Sequence, residues 1–238
     1  MRVLITRPKA DAGPFAGRLH GLGFETLIEP MLDIHPLPGA EIDLEGVQAF
    51  VATSANGVRA LAAATESRAL PLLAVGDGTA ATARDQGFSH VSSAAGTVED
   101  LARLACEALD PAGGALVHAA GRDVSGDLAG QLSAAGFDVR RVVLYEARAH
   151  TRLSPACRKA LTGAHLDGAV FFSPRSAGTF VSLAGMAGLA DRAAALQAFC
   201  LSDAVAAAAA KISWRAVHVA RQPGLDAMID LLRSVVGR

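Results

Sequence analysis

Three cysteines in 238 residues are too few and too scattered to build a framework. Cys106, Cys157 and Cys200 form no C-x-x-C pair and have no paired histidines beside them, so neither a zinc site nor a disulfide scaffold is signalled. They are expected to be small buried hydrophobes, and no metal site is expected. Charge of one sign is missing too, because 22 Lys and Arg stand against 23 Asp and Glu and leave a formal charge of −1. That balance excludes the basic footprint of a non-specific nucleic-acid binder, while a small polyanion held by local donors stays open. No apolar run approaches the ~18 residues of a spanning helix, and Met1 to Thr6 is too short for the apolar core of a signal peptide. A cytoplasmic protein without a membrane partner is therefore expected. There is no G-x-x-x-x-G-K loop, no G-x-S-x-G elbow and no H-x-x-x-H helix. The chain has a single tyrosine, Tyr145, and a single tryptophan, Trp214.

What it has in quantity is apolar residues, 51% against 19% charged, enough to bury a core rather than remain a solvated coil. Short β-branched runs alternate with Ala-rich amphipathic stretches from end to end. Strands are expected at Val3 to Thr6, Glu25 to Glu29, Ala49 to Thr53, Leu72 to Val75, His90 to Ser93, Ala115 to His118, Val139 to Tyr145, Ala169 to Phe172, Phe199 to Leu201 and Ala216 to Val219. The alternation predicts an α/β protein with doubly wound parallel sheets of the flavodoxin-like kind.

Laid on itself at an offset of 113, the chain matches Phe15-Ala16-Gly17-Arg18-Leu19 with Leu128-Ala129-Gly130-Gln131-Leu132, and Gly23-Phe24-Glu25 with Gly136-Phe137-Asp138. A looser match sets Val51-Ala52-Thr53-Ser54 on Phe171-Phe172-Ser173, and Val75-Gly76 on Leu201-Ser202. The chain thus reads as two halves on one plan. The strands after Gly23 and Gly136 run on past the usual ~5–6 residues, through Ile34 to Pro38 and through Tyr145 to His150. Paired, they would make a two-stranded β linker over residues 30–38 and 143–150. Residues 38–145 would then form a domain inserted into one made by residues 1–35 and 150–238.

Helix starts are expected after strand ends at Thr6-Arg7-Pro8, Ser54-Ala55-Asn56, Gly76-Asp77-Gly78-Thr79, Gly121-Arg122, Ser173-Pro174-Arg175 and Ser202-Asp203. In an open parallel sheet these loops lie along the carboxyl edge, where ligands bind. Taken singly, Ser54, Ser173, Ser202 and Thr79 read as N-caps worth about 1 kcal/mol each. Together the loops point to an anionic ligand in a cleft between two domains, received by helix N-termini. The candidate contacts are Arg7, Ser54, Asn56, Gly76, Thr79, Gly121, Arg122, Ser173, Pro174 and Ser202. Gly76 to Ala81 also matches G-x-G-x-x-A, but no acidic residue ends the next strand, so a dinucleotide is the weaker reading. His118, His218 and Trp214 read as packing residues.

The ordered set Val3-Leu4-Ile5-Thr6-Arg7-Pro8, Thr53-Ser54-Ala55-Asn56-Gly57-Val58-Arg59-Ala60, Ala74-Val75-Gly76 with Thr79-Ala80, Val143-Leu144-Tyr145 and Phe171-Phe172-Ser173-Pro174-Arg175-Ser176 resembles the uroporphyrinogen-III synthases. The resemblance runs from residue 3 to the last helix. It implies two α/β domains joined by a β-ladder and a lyase of tetrapyrrole biosynthesis that needs no metal or organic cofactor. Hydroxymethylbilane would lose water from its ring A hydroxymethyl group, invert ring D through a spiro intermediate and close to uroporphyrinogen III. The resemblance further implies that Tyr145 assists departure of the hydroxyl and that Thr79 is the cleft threonine of the inserted domain. Ser54 and Ser173 match the helix-opening residues. Where the family often has Gly-Pro-x-Thr-Ala, this chain has Ser202-Asp203-Ala204-Val205-Ala206, so binding there would fall to backbone N–H groups or to Ser202. A cytoplasmic monomer is implied, with hydroxymethylbilane as its small-molecule partner and at most a transient contact with hydroxymethylbilane synthase. The alternative is a non-catalytic two-domain sensor for a small polyanion.

Overall fold

In the computed structural model, which describes residues 1–123 and 126–236, strand and helix alternate as the hydrophobic pattern dictates. The order is β1 (Arg2–Ile5), α1 (Lys9–His20), β2 (Glu25–Ile28), β3 (Leu32–Pro36), β4 (Val47–Ala52), α2 (Ala55–Ala64), β5 (Leu72–Ala74), α3 (Asp77–Asp85), β6 (Val91–Ser93) and α4 (Val98–Ala108). It continues with β7 (Ala115–Gly121), α5 (Leu128–Ala134), β8 (Val139–Ala149), α6 (Pro155–Thr162), β9 (Gly168–Phe171), α7 (Pro174–Met186), α8 (Ala190–Ala194), β10 (Gln197–Cys200), α9 (Asp203–Ala209), β11 (Ala216–Val219) and α10 (Leu225–Val236). Local chemistry marks many of the boundaries. Proline occupies the first turn of α6 and α7, where its missing N–H costs nothing. Thr97 and Asp100 close a reciprocal capping box on α4.

The chain divides into two units, Met1–Asp33 with Arg148–Arg238, and Ile34–Ala147. The first holds a five-stranded sheet in the order β11-β10-β9-β1-β2, with every neighbour parallel. One face packs Val3, Ile5, Phe15, Val170, Phe199 and Leu232 into a core. The other carries Phe171, whose ring lies 5.6 Å from both Phe180 and Trp214. The second unit has the order β3-β8-β7-β4-β5-β6, parallel from β8 to β6. Apolar clusters cover both faces, one around Phe50, Val117 and Leu61, the other around Val51, Leu116 and Leu101.

These two orders explain the sequence repeat. In the first unit the pair β1-β2 sits beside the run β9-β10-β11; in the second the pair β7-β8 sits beside β4-β5-β6. The arrangement in space is the same, with the chain order permuted, so β7-α5-β8 matches β1-α1-β2, and β4-α2-β5-α3 matches β9-α7-β10-α9.

Two sequence expectations need correction. The single long strand after Gly23 is two strands, because Pro30 lacks an N–H and interrupts the ladder between Glu29 and Met31, whose amides donate to Ile5 and Thr6. The segments β3 and β8 lie side by side, with Leu37 N–H donating to the Leu144 carbonyl and His150 N–H to that of Met31. One number falls as the other rises, so the pair is antiparallel. Cys106 is exposed, since it lies off the Leu101, Ala102 and Ala105 stripe of α4, whereas Cys157 and Cys200 are buried.

Candidate active site

In each sheet the strand order turns back at one place, between β4 and β7 in the second unit and between β1 and β9 in the first. In an open parallel sheet this is the place where loops leaving neighbouring strands diverge and ligands bind at the carboxyl edge. In the second unit β4 runs through Thr53 into Ser54, an extended N-cap whose Oγ accepts the Gly57 N–H at 3.0 Å. Residue 57 must be glycine here, because a Cβ would stand 2.6 Å from the Ala119 carbonyl oxygen of β7. At Gly121, the end of β7, a Cβ would meet the Tyr145 ring at 2.8 Å. The phenol therefore lies across the Gly121 backbone, with its oxygen 2.9 Å from Ser54 Oγ. Three adjacent strands thus bring Ser54, Gly121 and Tyr145 together, with Tyr145 half-buried.

The same edge fixes Arg122, whose N–H donates to the Tyr145 carbonyl and whose guanidinium pairs with Glu146 at 3.4 Å. Arg141 donates to the carbonyls of Gly121 and Arg122 at 2.8 and 3.1 Å, tying down two acceptors beside the site. Sequence reasoning missed it, because these bonds join residues about twenty positions apart across neighbouring strands and leave no local pattern. Contrary to the sequence expectation, Gly121-Arg122 does not open a helix. Gly121 instead ends β7, and α5 starts at Leu128 behind the Asp127 cap. Asn56 lies in the first turn of α2, where its Oδ1 accepts from Arg59 at 3.0 Å.

Gly76 is the N-cap of α3 and Thr79 is its third residue, so the reading of Thr79 as an N-cap is also corrected. Thr79 is 8% exposed, and a Cβ at Gly76 or Gly78 would meet nothing within 4 Å. The approach to α3 is open.

In the first unit Thr6 ties β1 to β9 by donating its buried hydroxyl to the Val170 carbonyl at 2.7 Å. Arg7 then lies 4.3 Å over the Phe172 ring and 3.6 Å from Asp11. The helix after it is entered through Pro8, which offers no side-chain cap. Ser173 caps α7 by accepting the Ser176 N–H at 3.1 Å, and Pro174 follows it. Ser202 is the N-cap of α9, as its sequence position predicts, but its side chain makes no cap bond, so the stabilisation expected of the cap is not realised there. Val205, equivalent in the repeat to Thr79, is 1% exposed. It belongs to the core, where a methyl packs as well as a hydroxyl would.

The helix starts are not equal as anion seats. The first turns of α3 and α9 contain Asp77 and Asp203, whereas those of α2 and α7 contain no acid. A carboxylate at α3 or α9 meets a like charge that offsets the helix dipole; at α2 or α7 it meets the dipole alone. Among the described residues no group of three or more His, Cys, Asp and Glu could hold a metal ion. Burial, and for Cys157 also the Glu29 charge, pushes the two buried thiols up, to about 12 at Cys157 and about 11 at Cys200. They stay protonated and inert. On β7, burial first and Arg141 second pull the His118 imidazole down from 6.5 to about 4, and neither of its ring nitrogens has a hydrogen-bond partner.

Comparison with known proteins follows the same lines. The family profile described as uroporphyrinogen-III synthase HemD matches residues 13–230. The uroporphyrinogen-III synthetase structure of Helicobacter pylori superposes with a TM-score of 0.65 at 18% identity, over 99% of this chain and 100% of that one. A mutant uroporphyrinogen III synthase of Thermus thermophilus gives 0.56 at 18% identity, over 100% of this chain and 99% of that one. Identities this low speak for the fold. No curated protein sequence matches the chain.

Proposed function

The chain belongs to the uroporphyrinogen-III synthase family, and on that premise we propose that it cyclises hydroxymethylbilane to uroporphyrinogen III with Tyr145 assisting the departing hydroxyl. The observation that carries the assignment to Tyr145 is its phenol, held at the switch point of the second sheet by Ser54 and seated over Gly121. Hydroxide is a poor leaving group. As the ring A C–O bond breaks, its electron pair goes to oxygen and the electron-rich pyrrole supplies electrons from behind. A phenol proton given to that oxygen turns it into water. Loss of water leaves an electrophilic carbon, which attack by ring D, inversion through the spiro intermediate and closure then consume. The protein's part is to donate that proton and to fold a flexible chain so that its ends meet.

The carboxylates of the substrate are received by backbone N–H groups at the starts of α2 and α7 and by Arg7, with Thr79 offering a hydroxyl from the first turn of α3. Gly76, Asn56, Arg122, Pro174 and Ser202 shape those edges. In this reading the enzyme needs no metal or organic cofactor and works as a cytoplasmic monomer, meeting hydroxymethylbilane synthase at most in passing. The test is to supply hydroxymethylbilane, oxidise the product and separate the porphyrin isomers. Isomer III in excess of the spontaneous isomer I supports the assignment, and isomer I alone would return the chain to the sensor reading.

A further inference from the structure

We propose that Ser54 is a positioning residue that sets the direction of the Tyr145 proton: its hydroxyl donates to the phenol oxygen, leaving the phenol proton to be given away. This rests on the reading of Tyr145 as the donor to the departing hydroxyl. The 2.9 Å contact is compatible with either atom as donor, so the direction follows from what else each oxygen does. Ser54 Oγ already accepts the Gly57 N–H at 3.0 Å, at the positive end of α2. An oxygen polarised in this way is the better donor and the poorer second acceptor.

The repeat supplies an independent comparison. In the first unit the equivalent cap, Ser173, accepts the Ser176 N–H and donates its own proton to Ser176 Oγ at 3.0 Å. The position equivalent to Ser176 in the second unit is Gly57, which has no hydroxyl, and the Ala119 carbonyl 2.6 Å from where its Cβ would stand excludes one. The proton that Ser173 uses within its own helix turn is therefore free at Ser54, and the Tyr145 oxygen is its acceptor. Both partners are held: the serine by its cap, the ring by its seat on Gly121, which leaves no space for a side chain. A phenol that accepts one hydrogen bond in a fixed plane has its own O–H restricted to the remaining directions. Ser54 thus orients the proton without touching the substrate's leaving group.

Because Tyr145 is the only tyrosine in the chain, the Raman doublet of the tyrosine ring reads its oxygen directly as hydrogen-bond acceptor or donor. The parent should read as an acceptor, Ser54→Ala should lose that character, and Ser54→Thr should restore it. In the isomer III assay Ser54→Ala should lower kcat roughly tenfold, short of the full general-acid range, with little change in KM. In a Tyr145→Phe background the same substitution should change kcat by less than about twofold, since the group it orients is gone. Ser54→Asp keeps a strong cap but has no proton to give and takes the phenol's, so it should fold like the parent and lose more kcat than Ser54→Ala. A donor signature in the parent, a parental kcat in folded Ser54→Asp, or losses that multiply fully in the double variant would each overturn the proposal. Parental activity in Tyr145→Phe would instead overturn the role given to Tyr145, and the Raman reading would still decide the Ser54 direction.

Discussion

Removing one oxygen from Tyr145 is the smallest change that separates a proton donor from a ring that only fills space. Tyr145→Phe should lower the initial rate of isomer III formation by about 10²-fold, the low end of general-acid effects, because the pyrrole expels hydroxide partly unaided. The initial rate corrected for spontaneous isomer I measures it, and a rate within about twofold of the parent would make the phenol a packing residue. Thr79→Val isolates a hydroxyl in the same way. The repeat already places valine at the equivalent position, Val205, so the fold should tolerate it, while the specificity constant should fall by the ~1.5–3 kcal/mol of a charge-assisted bond. Unchanged kcat/KM would remove Thr79 from the site. His118 acts on stability instead. Its folded-state proton affinity is depressed from 6.5 to about 4, so as pH falls the unfolded chain binds the proton first. Stability is complete above pH 6.5, declines towards pH 4 and levels below it, and the full passage costs about 3 kcal/mol. Urea denaturation at stepped pH should show this slope in the parent and lose it in His118→Leu, which also removes two unpaired buried nitrogens. An equal slope in both proteins would place the titration elsewhere.

At the scale of the element, two glycines in helices should respond in opposite directions to alanine. Helix propensity favours alanine by about 1 kcal/mol at both. At Gly17, exposed in α1, a Cβ meets nothing within 4 Å, so Gly17→Ala should raise the stability by up to that amount. At Gly57 the Cβ would press on the Ala119 carbonyl at 2.6 Å, and overpacking costs of about 1–3 kcal/mol exceed the propensity gain. Gly57→Ala should therefore lower the melting temperature and, by moving α2 off β7, the activity as well; a stabilised Gly57→Ala would contradict the close packing. This contrast marks the limit of what a sequence makes legible. The caps Ser54 and Ser173 could be read from it because each bonds an amide three residues away, and local patterns encode local bonds. The parallel sheets could be read because their strands are continuous apolar runs. The meeting of Ser54 with Tyr145 spans 91 residues and leaves no local trace, and the same holds for Arg141 on the Gly121 carbonyl. Thr79 was misplaced by three positions because glycine at residue 76 can begin a helix with no side chain to announce it.

At the scale of the molecule, each of three apolar clusters among the described residues draws on one unit alone. Val3 to Leu232 of the first core draws only on the two chain ends, and the clusters around Phe50 and Leu116 draw only on the middle. Cores that share no residue predict units that fold separately. Residues 34–147, the inserted unit, should give a dispersed amide spectrum and one cooperative unfolding transition on their own. The outer unit needs its two pieces rejoined, and the antiparallel pair β3 and β8 shows where. Met31 is bonded to His150, and the register that also pairs Leu37 with Leu144 sets Asp33 opposite Arg148. A two-residue Asn-Gly turn between Asp33 and Arg148 would close a hairpin there, since such turns match the twist of the strands they join. That joined fragment should also unfold cooperatively. The acid-dependent loss of stability assigned to His118 provides the internal control, because this residue lies in the inserted unit. The slope between pH 6.5 and 4 should travel with the 34–147 fragment and be absent from the rejoined outer one. A 34–147 fragment without cooperative unfolding would mean that its core is completed by the rest of the chain, and a slope of equal size in the outer fragment would remove His118 as its source.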